Sequence, residues 1–144
     1  MRERRQRLFP FHTPDAQRLA ALFAIVYFAQ GMWYLPNQTI IIGFKDQGLS
    51  PSEVANFFLV ATLPWLIKPV YGLISDFVPL FGRRRKSYFM LTTILAAVAG
   101  LWLALLPEHS FWWMALLFAA MGFGLAFTDV LTDALMVEIG RAHV

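Results

Sequence analysis

The sequence predicts an all-α membrane protein with four transmembrane helices. Three observations carry this expectation. The chain of 144 residues is 58% hydrophobic and only 15% charged, with a mean hydropathy of +0.57. Soluble domains run at roughly 45–50% apolar and about 25% charged, so a surface this poor in charge calls for lipid as its solvent. Four apolar runs each approach the roughly 20 residues of helix that cross about 30 Å of hydrocarbon. None of these runs alternates apolar with polar residues as a barrel strand would, and an open sheet would leave unpaired edges in lipid. Disorder is excluded by the apolar content. The absence of cysteine excludes disulfide frameworks, thiolate metal sites and cysteine nucleophiles.

The helices are expected at about 19–44, 54–78, 87–107 and 111–138. The first runs from Leu19 to Phe44 without a charge, bounded by Arg18 and Lys45. It follows Arg2, Arg4, Arg5 and Arg7 as a signal peptide would. It is too long for a signal's apolar core, however, and lacks a small-x-small cleavage site, so it reads as a retained span. The second run, Val54 to Val78, is interrupted by Lys68 and Asp76; the third, Tyr88 to Leu106, ends at the turn Pro107-Glu108; the fourth starts at Phe111 and continues through Asp129 and Asp133 to Glu138. Arginines of the tail 1–18 (Arg2, Arg4, Arg5, Arg7, Arg18) and the cluster Arg83, Arg84, Arg85 and Lys86 share one side, against Lys45 alone on the other. By the positive-inside rule both termini are cytoplasmic, in a plasma or inner membrane. The basic residues therefore report topology and contact with anionic lipid; nucleic acid is not an expected partner.

Polar residues in hydrocarbon are costly, which makes each one informative. Tyr27, Gln30, Tyr34 and Asn37 follow at spacings of three, four and three, so they share one face of the first helix. That face should look into a bundle or cavity, either as a substrate-lining stripe of rings and amides or as hydrogen-bonding glue between helices. Lys68 lies roughly 21 Å down the second helix from Val54 at about 1.5 Å per residue, bracketed by Pro64 and Pro69. Each proline removes a backbone donor and frees an upstream carbonyl. A cation beside a broken helix suits an anionic substrate group or an intramembrane carboxylate; the alternative is snorkelling to the interface. Asp129 and Asp133, four apart, share a face, with Glu138 near the helix end. These acids, with Asp76, can meet the Arg83–Lys86 cluster as a gating network, carry a proton, or simply form a charged helix end.

Ala96, Gly100 and Ala104 on the third helix, and Ala120, Gly124 and Thr128 on the fourth, recur every four residues and permit close helix approach. Trp112 and Trp113 open the fourth helix as interface anchors. His12, His109 and His143 are scattered, no nucleotide loop or metal-ligand spacing occurs, and neither a cofactor nor an enzyme is expected.

Gly72-Leu-Ile-Ser-Asp76 followed by Gly82-Arg-Arg-Arg-Lys86 resembles the loop between helices two and three of major facilitator superfamily transporters. The acid and second glycine are six apart here, where the usual motif has about three. With Pro64-Trp65-Leu66-Ile67-Lys68-Pro69-Val70-Tyr71-Gly72 and Asp129-Val-Leu-Thr-Asp133-Ala-Leu-Met-Val-Glu138, the chain is similar to the folate–biopterin transporter family over about residues 19–138. The resemblance implies a proton-linked or facilitated carrier for folates or pterins. It also implies a cytoplasmic latch of Asp76, a loop arginine (Arg83, Arg84 or Arg85) and Asp129 or Asp133, which steadies one side of an alternating-access cycle. A folate carries carboxylates and an aromatic pterin, which gives Lys68 and the stripe of Tyr27, Gln30, Tyr34 and Asn37 plausible partners. Such carriers have about twelve helices in two pseudo-symmetric halves. On that view, residues 19–138 form part of an N-terminal bundle whose C-terminal half is missing. The tail Ile139-Gly-Arg-Ala-His-Val144 reads like a translated sequencing adapter and is expected to be foreign. The competing reading is a complete small four-helix membrane protein, such as an exporter or an assembly subunit. Exporters of that kind need a carboxylate deep in the first helix, where this chain has only Gln30.

Overall fold

The computed structural model describes residues 14–83, 85–105 and 110–142, the last three by backbone alone. They form six helices: α1 (Pro14–Met32), α2 (Tyr34–Asp46), α3 (Pro51–Leu66), α4 (Lys68–Phe77), α5 (Arg85–Leu105) and α6 (Phe111–Ala142). α1 with α2, and α3 with α4, make two long spans broken near their middles, so the described residues contain four helical spans long and apolar enough to cross a membrane. The architecture is that of an all-α membrane protein. Arg2 to Arg7, His12, Arg84, the Pro107-Glu108 turn, His109 and His143 lie outside the described residues.

The helix ends depart from the sequence expectation because local caps, and not hydropathy, set them. The first span starts at Pro14 instead of 19, with proline where a first-turn donor is not needed and Asp15 on the positive end of the helix dipole. The second starts at Pro51 because Ser50 and Glu53 form a reciprocal capping box: Glu53 N–H donates to Ser50 Oγ, and Ser50 N–H donates to Glu53 Oε2 at 2.8 Å. Prolines cause the two interior breaks. Pro36, in the first turn of α2, cannot donate to Met32, and the chain tightens there with Trp33 N–H on the Gln30 carbonyl at 3.0 Å. At Ile67 (φ −99°, ψ 15°) α3 ends and α4 begins, with Pro69 in its first turn. The break frees the Pro64 carbonyl, which the Tyr71 hydroxyl satisfies at 2.8 Å.

α6 is the hub: it packs most extensively on α5, then on α3 and α4, and also meets α1. At the Phe111 end, Trp33, Phe44, Phe57 and Phe118 form an aromatic layer with Ala61 and Ala115. At the Arg85 end, Phe127 of α6 is stacked between Tyr71 of α4 (4.9 Å) and Tyr88 of α5 (5.3 Å). The outward faces stay apolar, with Phe28, Leu66, Leu101, Trp102 and Trp113 all exposed. Such a surface is what lipid or further helices would cover.

The small residues of α5 and α6 set the closest approach. A Cβ on Gly124 would lie 2.5 Å from the Thr92 carbonyl oxygen and 2.8 Å from Ala96 Cβ. Beside it the Thr92 and Thr128 hydroxyls are 3.1 Å apart. Gly100 is less demanding, since a Cβ there meets only the end of the Met121 side chain, at 3.1 Å. Gly124→Ala should therefore destabilise by about 1–3 kcal/mol through overpacking against backbone, while Gly100→Ala should be tolerated. Thermal unfolding of the detergent-solubilised variants, followed by size-exclusion chromatography, checks the contrast; equal midpoints would refute it.

Candidate functional site

The polar stripe of the first span faces a cavity of about 370 Å³ bounded by α1, α2, α3, α4 and α6. Tyr27, Gln30, Tyr34, Asn37 and Lys68 all line it, together with Trp33, Thr62, Trp65 and Asp129. The two breaks place these groups: Trp33 sits at the first, and Trp65 and Lys68 flank the second. Lys68 opens α4 and its ammonium forms an ion pair with Asp129 of α6. Its charge also lies 4.4 Å from the centre of the Trp65 ring, a cation–π contact between two lining residues of the cavity. Asp129 is 7% exposed. One turn further on, Asp133 accepts a hydrogen bond from the Tyr27 hydroxyl at 2.6 Å, tying α1 to α6.

Three buried polar atoms have no hydrogen-bond partner among the described residues: Gln30 Nε2, Asn37 Oδ1 and Trp65 Nε1. All three belong to residues lining this cavity. A buried polar group left unpaired costs about 1–3 kcal/mol, so natural proteins rarely tolerate a cluster of them without a reason. Two donors and an acceptor beside a cation and several rings form a surface suited to a flat, polar, heteroaromatic anion.

A second cluster lies at the other end of α4. Arg85 donates from Nε and Nη2 to Asp76 Oδ1 at 3.2 and 3.0 Å, and from Nη1 to Glu138 Oε2 at 2.6 Å. One guanidinium thus joins the last turn of α4, the first of α5 and the far end of α6. The acid that α6 contributes to this cluster is Glu138, whereas Asp129 and Asp133 meet Lys68 and Tyr27. Nine residues at about 1.5 Å each put Asp129 roughly 13 Å deeper than Glu138, at the level of Lys68. Asp133 is likewise engaged by Tyr27. Arg83 is exposed, and its backbone N–H closes a tight turn on the Leu80 carbonyl at 3.0 Å. Phe81 and Gly82 hold φ of 51° and 70° in that turn. The turn lies within the longer spacing between Asp76 and the Gly82 motif. Trp65, Trp33 and Thr62 are cavity residues that sequence reasoning passes over. Trp65, three before Lys68, carries a usable signal in that spacing. Among the described residues no group of His, Cys, Asp and Glu could hold a metal ion.

Residues 28–144 match the BT1 family. The chain is 35% identical over 136 residues to the folate-biopterin transporter of Synechocystis, covering 93% of this chain and 27% of that protein. It is 35% identical to probable folate-biopterin transporter 4 of Arabidopsis thaliana, covering 83% of this chain and 25% of the relative. It is also 32% identical to folate transporter 1 of Plasmodium falciparum, over 82% and 24% respectively. The chain thus spans about a quarter of the length of these relatives. No solved structure matches it. With four apolar spans among the described residues and a family match over residues 28–144, the chain belongs to the BT1 family.

Proposed function

We propose that the chain is part of a carrier that moves folate- or pterin-like organic anions across a cell membrane by alternating access. It would form part of the N-terminal bundle of a major facilitator superfamily architecture, with its N-terminus cytoplasmic. The observation that carries this reading is the cavity: Tyr27, Gln30, Tyr34, Asn37 and Lys68 converge there with unpartnered polar atoms on Gln30, Asn37 and Trp65. The chemistry of that wall complements a pterin. The rings of Trp65, Tyr34 and Tyr27 can stack on a heteroaromatic plane. Gln30 and Trp65 supply donors and Asn37 an acceptor for the polar edge of the ring system. Lys68 is the cation among the lining residues, suited to a carboxylate.

The second half of the reading is the cluster of Asp76, Arg85 and Glu138 as a latch that steadies one state of the cycle. Arg83 falls in the turn beside it. The relatives' names supply the substrate class, and the resemblance of the Gly72–Lys86 segment to the superfamily's loop supplies the architecture. The remaining helices of the carrier would close the cavity from the side that this chain leaves open. The test is uptake of labelled folate and of labelled biopterin by the protein as its gene encodes it, expressed in cells without folate uptake of their own. Saturable uptake of either compound, competed by the other, is expected. Expression at the surface with no uptake or exchange of either would refute the reading.

A further inference from the structure

We propose that the cavity divides recognition between two of its rings: Tyr34 carries the aromatic plane of the ligand, while the face of Trp65 acts through Lys68 and sets a preference for ligands that bear a carboxylate. The inference rests on the substrate reading above and deepens it, by naming the residues that set specificity. Four aromatic residues among the described ones line the cavity: Tyr27, Trp33, Tyr34 and Trp65. Contacts within the chain occupy three of them. Trp33 is buried in the aromatic layer, with its ring centre 4.6 Å from that of Phe118. Tyr27 is tied by its hydroxyl to Asp133. Trp65 carries the Lys68 ammonium over its ring and packs against the cluster of Tyr71, Tyr88 and Phe127. Tyr34 is left. It is 72% exposed, and among the described residues no hydrogen bond or ring contact engages it. A phenol turned to hydrocarbon would leave its hydroxyl unpaired at a cost, so this ring is open toward the polar cavity that it lines. Gln30 and Asn37 stand about one turn to either side on the same face, each with an unpartnered polar atom. A heteroaromatic plane laid on Tyr34 can therefore meet an amide at each edge.

Trp65 has a different task because of what lies over it. A lysine ammonium has three donors, and Asp129 engages one of those on Lys68. The others are available to a ligand carboxylate. A lysine side chain is long and flexible, and the entropy lost in ordering it weakens any contact it makes. Here the indole face and Asp129 hold the ammonium from two directions before a ligand arrives. A carboxylate then meets a cation already in place. A ligand without one gains nothing from that placement. The indole N–H is a separate group, since it lies in the plane of the ring whereas the cation sits over its face. It serves any ligand that brings an acceptor, and so does not distinguish the two classes.

The experiment measures equilibrium binding of labelled folate and labelled biopterin by the protein as its gene encodes it, reconstituted in nanodiscs. Tyr34→Leu should weaken both ligands alike, by about two- to ten-fold, and Tyr34→Phe should restore both. Trp65→Phe removes the N–H but keeps a ring face for the cation. It should weaken both ligands together and leave most of the preference for folate over biopterin. Trp65→Leu removes the face as well, and should cut that preference by about two- to thirty-fold. A merely structural role for Trp65 would lower both affinities in step in either variant. In the unmodified protein, folate with its carboxylates converted to amides should lose the preference, a measurement that needs no variant to fold. Equal affinity for folate and its diamide, a preference that survives Trp65→Leu, or unchanged binding of both ligands by Tyr34→Leu would overturn the proposal while leaving the substrate reading intact. Failure of both folate and biopterin to bind the unmodified protein would overturn the substrate reading, and this proposal with it.

Discussion

Lys68→Ala is expected to abolish folate uptake while biopterin uptake survives in reduced form. The ammonium is the cation that a carboxylate would meet in the cavity, and charge-assisted hydrogen bonds contribute about 1.5–3 kcal/mol. Loss of about 2–3 kcal/mol is roughly a 30- to 150-fold fall in affinity, enough to remove uptake at ordinary substrate concentrations. A second effect complicates the single variant. It leaves Asp129, 7% exposed, without its cation, and an uncompensated buried charge is strongly destabilising. The double variant Lys68→Ala/Asp129→Ala separates the two effects, because removing both partners restores electrical neutrality. Surface expression should fall in the single variant and recover in the double, whereas folate uptake should stay absent in both. Lys68→Arg keeps the charge but replaces a compact ammonium with a planar fork, and should recover only part of the rate. Normal folate uptake by the double variant would show that Lys68 is a structural cation and leave the cavity without its anion-binding group.

Much of this architecture is legible in the residues alone. Run length and the lack of charge between Leu19 and Phe44 identify the first span, because hydrocarbon thickness fixes helix length. The ends of the spans are not legible in the same way, since Pro14 and the Ser50–Glu53 box act through local hydrogen bonds and dipoles that hydropathy does not register. The spacing of Tyr27, Gln30, Tyr34 and Asn37 places them on one face by helical periodicity, and they line one cavity. Periodicity cannot say which residues another helix brings to that face. Trp65 and Asp129 reach it only through the break at Ile67 and the packing of α6. The choice among the acids of α6 is equally hidden, because Asp129, Asp133 and Glu138 are all compatible with a nearby arginine by charge alone. Depth along the helix separates them: Glu138 meets Arg85, Asp133 meets Tyr27, and Asp129 meets Lys68.

Arg85→Gln should shift the balance between inward- and outward-facing states by several-fold, a smaller effect than the loss of Lys68. Exposure sets the bound. The Arg85, Asp76 and Glu138 side chains are 33%, 51% and 69% exposed, and an exposed ion pair contributes about 0.2–1 kcal/mol. Two pairs sharing one guanidinium then stabilise the closed arrangement by about 0.4–2 kcal/mol, which is roughly a two- to thirty-fold change in an equilibrium. The geometry says which arrangement loses: the contacts to Asp76 and Glu138 join the ends of α4, α5 and α6, so the state in which these ends are together is the one destabilised. Asp76→Asn removes one of the two pairs and should give a smaller shift in the same direction. Both shifts should shrink in about 1 M salt, where the screening length falls to about 3 Å. The ion pair of Lys68 and Asp129, more sheltered, should respond less. Cysteine probes placed at the Arg85 end of the bundle read the populations directly, through their rate of labelling by an impermeant maleimide. Unchanged labelling in both variants, at low and at high salt, would leave the cluster as three solvated charges and remove the latch from the mechanism.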